Sequence, residues 1–575
     1  MAGGFHLHIA RRHGSGTDYC GPARPQILAS GNLRVWAREP FVAIDARTVI
    51  IGHLFTRGPP SQRITTLQAI GSEKLLADRG RMLLAQYWGG YVMVHRSADG
   101  RIMVLRDPSG ILPCYVRCDD RGVTIAGDIA DLAEPGPGRV DYREVVRLLA
   151  SGDARGRRTC IADVDELIAG ECLVVDPSDI RAVTWWTPWD HVAPIKNMPT
   201  AEASPRLRET ISDCVGAWAE CFPSILLGVS GGLDSSIVAA AAAPRASRLT
   251  CLTLFGPDSD GDERRYARAL TGALGVDLLE MPRQIEDVDV TRAPSPHHPW
   301  PVAPIGKLTN EAIHGRIAQG LAIDAHFSGN GGDGIFCSIR SAVPLLDRYL
   351  AEGPRLGLAE TLRDICLVTG ADRMTVLRHA WDRYRMNGGS HNVRYNSSGM
   401  AADILAGIEA EGPTHPWLMV PKSSLPGKTV HVAYLMRSQK GIELYPRAAA
   451  PPHIAPLQSQ PIVELCLSIP TWAWVAEGLN RAVARMAFAE SLPPLILRRT
   501  QKGGPGGFDL AIYQRHRAAL VDRLRRGHLA EAGMLDLALL DEAEDPTWRG
   551  TARIQRILDL VAAENWVEWW SGSTA

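Results

Sequence analysis

The stretch Gly228-Val229-Ser230-Gly231-Gly232-Leu233-Asp234-Ser235-Ser236 constrains the fold of this chain more than any other. Preceded by the apolar run Ile225-Leu226-Leu227 and followed by small residues from Ile237 to Ala243, it reads as a strand, a tight glycine turn and the start of a helix. Such a junction suits an anion: the glycines let the backbone approach it, helix-start amides point at it with the positive end of the dipole, and Ser230, Ser235 and Ser236 add hydroxyl donors. Asp234 alone would repel phosphate, so its place in the loop calls for Mg2+ bridging carboxylate and phosphate. The loop is not G-x-x-x-x-G-K-[ST], and the similar string Pro426-Gly427-Lys428-Thr429 lacks the upstream glycine. For Ser230-Gly231-Gly232 alone, a ligand-free βα turn is the competing reading; Asp-Ser-Ser at this spacing weighs against it.

The residues that follow alternate between strand and helix patterns. Arg248 to Phe255 is β-rich and apolar, Asp262 to Leu274 is helical with Gly275 at its end, and Val276 to Met281 is a further strand. This alternation predicts a parallel sheet with ligands at the carboxyl ends of its strands. A second glycine turn, Ser328-Gly329-Asn330-Gly331-Gly332-Asp333, follows a strand-like run and ends in a carboxylate. If both turns share one sheet edge, Asp234 and Asp333 hold the metal together; a turn in which Asp333 merely caps a helix is the alternative. Arg498-Arg499-Thr500-Gln501-Lys502-Gly503-Gly504 is basic and glycine-rich, fitting a loop whose Lys502 brings charge onto leaving pyrophosphate, although alone it reads as a solvated loop.

With 575 residues the chain exceeds one ordinary core, and two domains are expected, 1–195 and 196–575. The earlier one reads as α+β with antiparallel sheet. Tyr91–His95 and Arg101–Leu105 flank a turn at Asp99-Gly100, Cys114–Arg117 and Val123–Ala126 form another pair, Glu171–Val175 is a further strand, and Lys74–Gln86 and Tyr142–Leu149 have helical spacing. The aromatic cluster Trp185, Trp186 and Trp189 suits burial between domains, and His191 to Pro205 reads as a linker ahead of a helix from Arg206 to Cys221. A net charge of -1 provides no basic field for nucleic acid or an anionic membrane. Eleven dispersed cysteines without a C-x-x-C pair fit a reducing, cytoplasmic setting, and no apolar run reaches membrane-spanning length.

Together the motifs resemble the asparagine synthetase superfamily. S-G-G-x-D-S matches at Ser230, Gly231, Gly232, Asp234 and Ser235, S-G-x-G-x-D at Ser328, Gly329, Gly331 and Asp333, and the lysine before a glycine-rich segment at Lys502. Trp88-Gly89-Gly90-Tyr91, Leu105 to Tyr115 and Asp165 to Glu171 resemble the glutaminase half of glutamine-dependent asparagine synthetases. The resemblance implies an N-terminal glutaminase-like sandwich of the N-terminal-nucleophile (Ntn) type. An α/β PP-loop ATP pyrophosphatase domain with a parallel sheet and extra helices would follow it, cleaving ATP to AMP and pyrophosphate. Thr253, Leu254 and Phe255 would border adenine, Gly329, Asn330 and Ser236 would join the nucleotide site, and Asp234, Asp333 and Lys502 would be catalytic. The chain departs from the family at Met1-Ala2-Gly3. With no cysteine after the initiator, the first half is expected to keep the fold without glutaminase activity.

The acceptor is read from Asn330 and Ala2. Asparagine synthetases carry Glu where Asn330 stands, and β-lactam synthetases carry Tyr. The branch most similar is the lasso-peptide macrolactam synthetases, or lasso cyclases, through Trp88-Gly89, Arg106 to Gly110 and Pro456 to Cys466. That resemblance implies ATP and Mg2+ as cofactors and a precursor peptide as substrate. A leader-recognition protein and a leader peptidase are the implied partners. The reaction would adenylate an Asp or Glu side chain of the peptide, after which its N-terminal amine closes a ring. Trp381, Tyr384, Arg394, Tyr395 and Tyr434 are candidate peptide contacts, each also readable as ordinary helix surface or core. A β-lactam synthetase-like or asparagine synthetase-like ligase, or an inactive scaffold, are the alternatives.

Overall fold

Runs rich in apolar and β-branched residues form strands in both halves, pairing antiparallel in the first half and parallel in the second. The computed structural model describes residues 4–10, 24–66, 72–152, 154–192, 200–256, 261–301, 305–386, 395–439, 450–500, 506–544 and 550–572.

The N-terminal strands are β1 (Phe5–Ala10), β2 (Gln26–Ser30), β3 (Leu33–Ala37), β4 (Phe41–Asp45), β5 (Thr48–Thr56), β6 (Arg63–Ile64), β7 (Tyr87–Arg96), β8 (Ile102–Arg106), β9 (Tyr115–Asp119), β10 (Gly122–Ala126), β11 (Val164–Glu166), β12 (Glu171–Asp176) and β13 (Asp179–Thr184). They form two antiparallel sheets, ordered β11-β9-β10-β1-β3-β2 and β13-β12-β8-β7-β5-β4, with β6 paired to β5. Leu7, Val35, Ile51, Val92, Val104 and Ile125 fill the space between the sheets. Outside one sheet lies α1 (Ser72–Gln86), whose Leu75 and Leu83 pack with Trp88; outside the other lies α2 (Tyr142–Ser151), whose Val145 packs with Tyr115. The result is a helix–sheet–sheet–helix sandwich. The predicted hairpin is β7–β8, paired from Val92↔Arg106 to Arg96↔Ile102. The helix predicted from Lys74 to Gln86 is broken, because Ala77 to Gly80 leave helical dihedral angles.

Arg106 and Asp107, in the stretch from Leu105 to Tyr115, work as an internal staple. Arg106 donates to the carbonyls of Leu112, Gly110 and Leu167 and to Glu166 at 2.8 Å, tying β8 to β11. Asp107 accepts from the Tyr91 and Ser109 amides, and burial pushes its carboxyl up to about 6.

The second half holds β14 (Ser224–Gly228), β15 (Arg248–Phe255), β16 (Asp277–Pro282), β17 (Ala325–Phe327) and β18 (His453–Ile454), all parallel, in the order β16-β15-β14-β17-β18. Its helices begin with α3 (Thr200–Ala219), α4 (Leu233–Ala242), α5 (Arg264–Leu274), α6 (Leu308–Leu321) and α7 (Gly332–Ile335). Next come α8 (Val343–Glu352), α9 (Gly357–Thr369), α10 (Arg373–Arg385), α11 (Ala402–Glu411), α12 (Pro426–Ser438) and α13 (Gln460–Ser468). The last are α14 (Ala482–Ala487), α15 (Pro494–Leu497), α16 (Gly506–Arg526), α17 (His528–Glu531), α18 (Ala538–Glu544) and α19 (Thr551–Trp570). The linker reading is corrected at its end: α3 starts at Thr200, six residues ahead of the expected Arg206, and contains Pro205. Burial of Ala203, Leu207, Ile211, Cys214 and Trp218 at helical spacing outweighs the one ladder bond that Pro205 removes. Residue 195, the expected domain boundary, lies outside the described residues.

Trp218 of α3 meets Trp88 edge-on at 6.3 Å and Phe55 at 5.1 Å, so one apolar core runs from the sandwich into the parallel sheet. The predicted burial of the later tryptophans holds for Trp186, which donates to Glu464 at 2.9 Å, while the half-buried Trp189 donates to the Trp417 carbonyl. Pro426-Gly427-Lys428-Thr429 opens α12, with its lysine turned into the core. Lys428 is fully buried and donates to the Leu467 and Ile469 carbonyls; beside it Asp347 accepts from the Gly427 amide and the Thr471 hydroxyl. Burial lowers the Lys428 pKa to about 8 and raises that of Asp347 to about 6. Lys428→Met strands two carbonyls and the Asp347 charge, so it is expected to cost about 3–5 kcal/mol and lower the thermal unfolding midpoint measurably. An unchanged midpoint would refute this role.

Candidate active site

Parallel pairing of β14 with β17, Leu227 opposite Phe327, brings both glycine turns to one carboxyl edge. There they touch. A Cβ on Gly329 would stand 2.4 Å from the Ser235 amide nitrogen, and one on Gly332 would stand 2.4 Å from Asp234 Cγ. No residue with a side chain fits either position, which is why this second turn is glycine-rich. Gly231 and Gly331 also have φ of +58° and +87°, the left-handed region that other residues resist.

A cleft of about 710 Å³ lies over this edge. It is lined by Gly228, Val229, Ser230, Gly232, Asp234 and Ser235 of the first turn, by Thr253, Leu254, Arg283 and His314, and by residues 329–334 with Tyr434 and Arg437. Two of the lining residues, Asp234 and Asp333, meet on a single nitrogen. Arg481 Nη1 donates to Asp234 Oδ1 and Oδ2 at 3.0 and 2.9 Å and to Asp333 Oδ1 at 2.8 Å. The two carboxylates therefore face one cation position. Among the described residues no three His, Cys, Asp or Glu side chains assemble as a metal site. Two carboxylates that converge on one point suit Mg2+, which takes its remaining ligands from phosphate oxygens and water.

Arg481 itself escaped the sequence reading. It follows the short hairpin of β19 (Val475–Ala476) and β20 (Leu479–Asn480), adopts φ of +54°, and lies far along the chain from both its partners. No glycine pattern or charge cluster marks it. Behind it Arg485 donates to the carbonyls of Asn480 at 2.8 Å, Leu497, and Arg499 at 3.0 Å, and burial lowers its pKa to about 10. These bonds seat the basic segment predicted to face the phosphates. Arg499 donates to the Ser230 carbonyl at 2.9 Å and to Glu263 at 2.5 Å and lies over the Tyr266 ring. Lys502 lies outside the described residues, as do Ala2 and Arg394.

Other expected residues divide. Ser230, Gly232, Asp234, Ser235, Thr253, Leu254, Gly329, Asn330 and Asp333 line the cleft. Ser236 does not. It is fully buried in α4, its hydroxyl donated to the Gly232 carbonyl at 2.8 Å, the back-bond a helical serine makes one turn up. Gly231 supplies the bend rather than a wall, and Phe255 lies under the Arg264 guanidinium. Of the expected peptide contacts, Tyr434 lines the cleft. Trp381 and Tyr384 stand exposed on the outward face of α10, and Tyr395, in the segment before α11, packs against the apolar cluster around α2 and α19. His453 Nε2 and Ser328 Oγ lie 2.9 Å apart, steadying the second turn, and burial keeps the neighbouring His314 and His326 rings neutral by lowering their pKa values to about 4 and about 3.

The model of the asparagine synthase family matches residues 206–568, which is more than half of the chain. The chain belongs to the asparagine synthase family. Membership implies ATP-dependent amide-bond formation, and the glycine turns, carboxylates and arginines of the cleft all fall within the matched span. No curated protein sequence matches the chain. Among solved structures, the allosteric regulatory enzyme of purine biosynthesis is similar over 48% of this chain and 74% of that one, at 10% identity and a TM-score of 0.19. Glutamine phosphoribosylpyrophosphate amidotransferase from B. subtilis, complexed with ADP and GMP, is similar over 48% and 59%, at 10% identity and a TM-score of 0.16. Superpositions this poor carry no inference about fold or function.

Arg481 fills the position between the carboxylates, so without nucleotide the site should reject divalent ions. Arg481→Met is expected to bind Mn2+ at least about tenfold more tightly than the natural protein, because two converging carboxylates lose their cation. Loss of the free Mn2+ signal in electron paramagnetic resonance measures this, and equal affinities would refute the assignment.

Proposed function

We propose that the chain is a lasso-peptide cyclase that joins an Asp or Glu side-chain carboxylate of a ribosomally made peptide to the peptide's own N-terminal amine. The observation that carries the ligase chemistry is the convergence of Asp234 and Asp333 on one cation position beside the Ser230 to Ser235 turn. The choice of peptide rests on Asn330 in the second turn and on the resemblance at Pro456 to Cys466.

ATP would lie with adenine against Thr253 and Leu254 and its phosphates on the α4 amides, Ser230 and Ser235. Mg2+ held by Asp234 and Asp333 would neutralise charge on the phosphates. The peptide carboxylate attacks the α-phosphorus and pyrophosphate leaves as the acyl adenylate forms. With Mg2+ on the two carboxylates, Arg481 would offer its guanidinium to the departing pyrophosphate, and Lys502 would add a second positive charge. The N-terminal amine attacks the acyl carbon, loses its proton and releases AMP. Its reference pKa of about 7.7–8.0 leaves a useful neutral fraction near neutrality. The cleft must also hold the peptide tail in place before closure, since a free chain would lose much conformational entropy. A leader-recognition protein and a leader peptidase would deliver the peptide.

Mixing the protein with ATP, Mg2+ and synthetic core peptides tests this. Pyrophosphate release and a product lighter than the peptide by one water are expected. Asp234→Asn and Asp333→Asn should each slow turnover at least about 100-fold. Asparagine made from aspartate and ammonia would overturn the cyclase reading, and near-natural rates in either variant would remove the metal assignment.

A further inference from the structure

Away from the cleft, α10 (Arg373–Arg385) carries two apolar faces where a surface helix needs one. Its inward face, Val376 and Ala380, packs with Leu345 and Ile365 of α8 and α9. A second set, Met374, Leu377, Trp381 and Tyr384, stands 73%, 45%, 60% and 47% exposed. The spacing of three, four and three residues is that of a heptad seam. At 3.6 residues per turn the four fall within about 80° of one another, roughly 100° from the buried face. Trp381 and Tyr384 stack with ring centres 5.7 Å apart, making a rigid aromatic anchor of the type that dominates binding energy at interfaces.

The charges beside this stripe have one sign. On the same helical projection Arg378 and Arg385 border it next to Met374, and Arg373 borders it next to Tyr384. All three are exposed, and the only acid within α10 is Asp382. Two copies of the stripe facing each other would set arginine against arginine. Residues 387–394, which follow the helix, contain no acid and a single aliphatic side chain, Val393, so the adjoining chain lacks the complementary pattern.

We infer that the outward face of α10 docks an amphipathic helix of a partner protein, one with an apolar seam flanked by Asp or Glu. Leucine-sized knobs from that helix would seat between Met374, Leu377, Trp381 and Tyr384, and its acids would pair with Arg373, Arg378 and Arg385. The inference is independent of the substrate assigned to the cleft, which none of these residues lines.

The test uses the full chain and a fluorescein-labelled synthetic peptide of four heptads with Leu at a and d and Glu at e and g, whose like charges disfavour its self-pairing. Fluorescence anisotropy should show binding that weakens at least tenfold in Leu377→Glu and in Arg378→Glu, and that is lost when Lys replaces Glu in the peptide. Pyrophosphate release by both variants should stay at the natural level, which separates docking from the cleft. Equal binding by the variants would overturn the inference. So would self-association in sedimentation velocity that Leu377→Glu abolishes, or capture of the protein by phosphatidylglycerol vesicles in preference to the peptide.

Discussion

The closeness of two glycine turns is the constraint on which the rest of this site depends. Gly329 and Gly332 lie so near Ser235 and Asp234 that a single Cβ on either would collide with the opposing turn. That contact exists because β14 and β17 are neighbours in a parallel sheet, so that two segments distant in sequence leave the same edge together. With the turns in contact, Asp234 and Asp333 both reach one arginine from a third segment. The electrostatics follow from the backbone: two carboxylates this close repel unless a cation sits between them, and the cleft supplies an intrinsic one in Arg481.

The sandwich supports that edge rather than contributing chemistry that its described residues display. Its Trp88 and Phe55 pack on Trp218 of α3, and α3 lies against α4, whose first turn carries Asp234. Arg106 and Asp107 hold the sandwich loop that reaches the cleft side, where Ser109 accepts from Gln439 just beyond α12. The first half of the chain thus serves the cleft as packing. The buried Lys428 and Asp347 play a comparable part between α8, α12 and the segment after α13, satisfying carbonyls that no regular element would reach.

Much of this was legible in the residues. Apolar runs ending in glycine turns marked β14 and β17, and the β/α alternation marked the parallel sheet, because both depend on local periodicity. What stayed hidden depends on long-range contact. Arg481 reaches the carboxylates only after the chain has folded, and nothing nearby in sequence signals it. Ser236 looked like its neighbours Ser230 and Ser235, yet helical geometry turns its hydroxyl back to Gly232. Trp381 and Tyr384 looked like substrate contacts, but the packing of α10 on α8 and α9 points them to solvent instead. Pro205 suggested a linker and instead lies within α3, since the apolar face of that helix outweighs one missing hydrogen bond.

The central claim is that Asp234 and Asp333 form a cation position that a nucleotide completes. Isothermal titration with a non-hydrolysable ATP analogue, with and without Mg2+, tests it most directly. The account predicts that Mg2+ tightens binding at least about tenfold in the natural protein and has little effect in Asp333→Asn. Equal affinities with and without Mg2+ in the natural protein would contradict it.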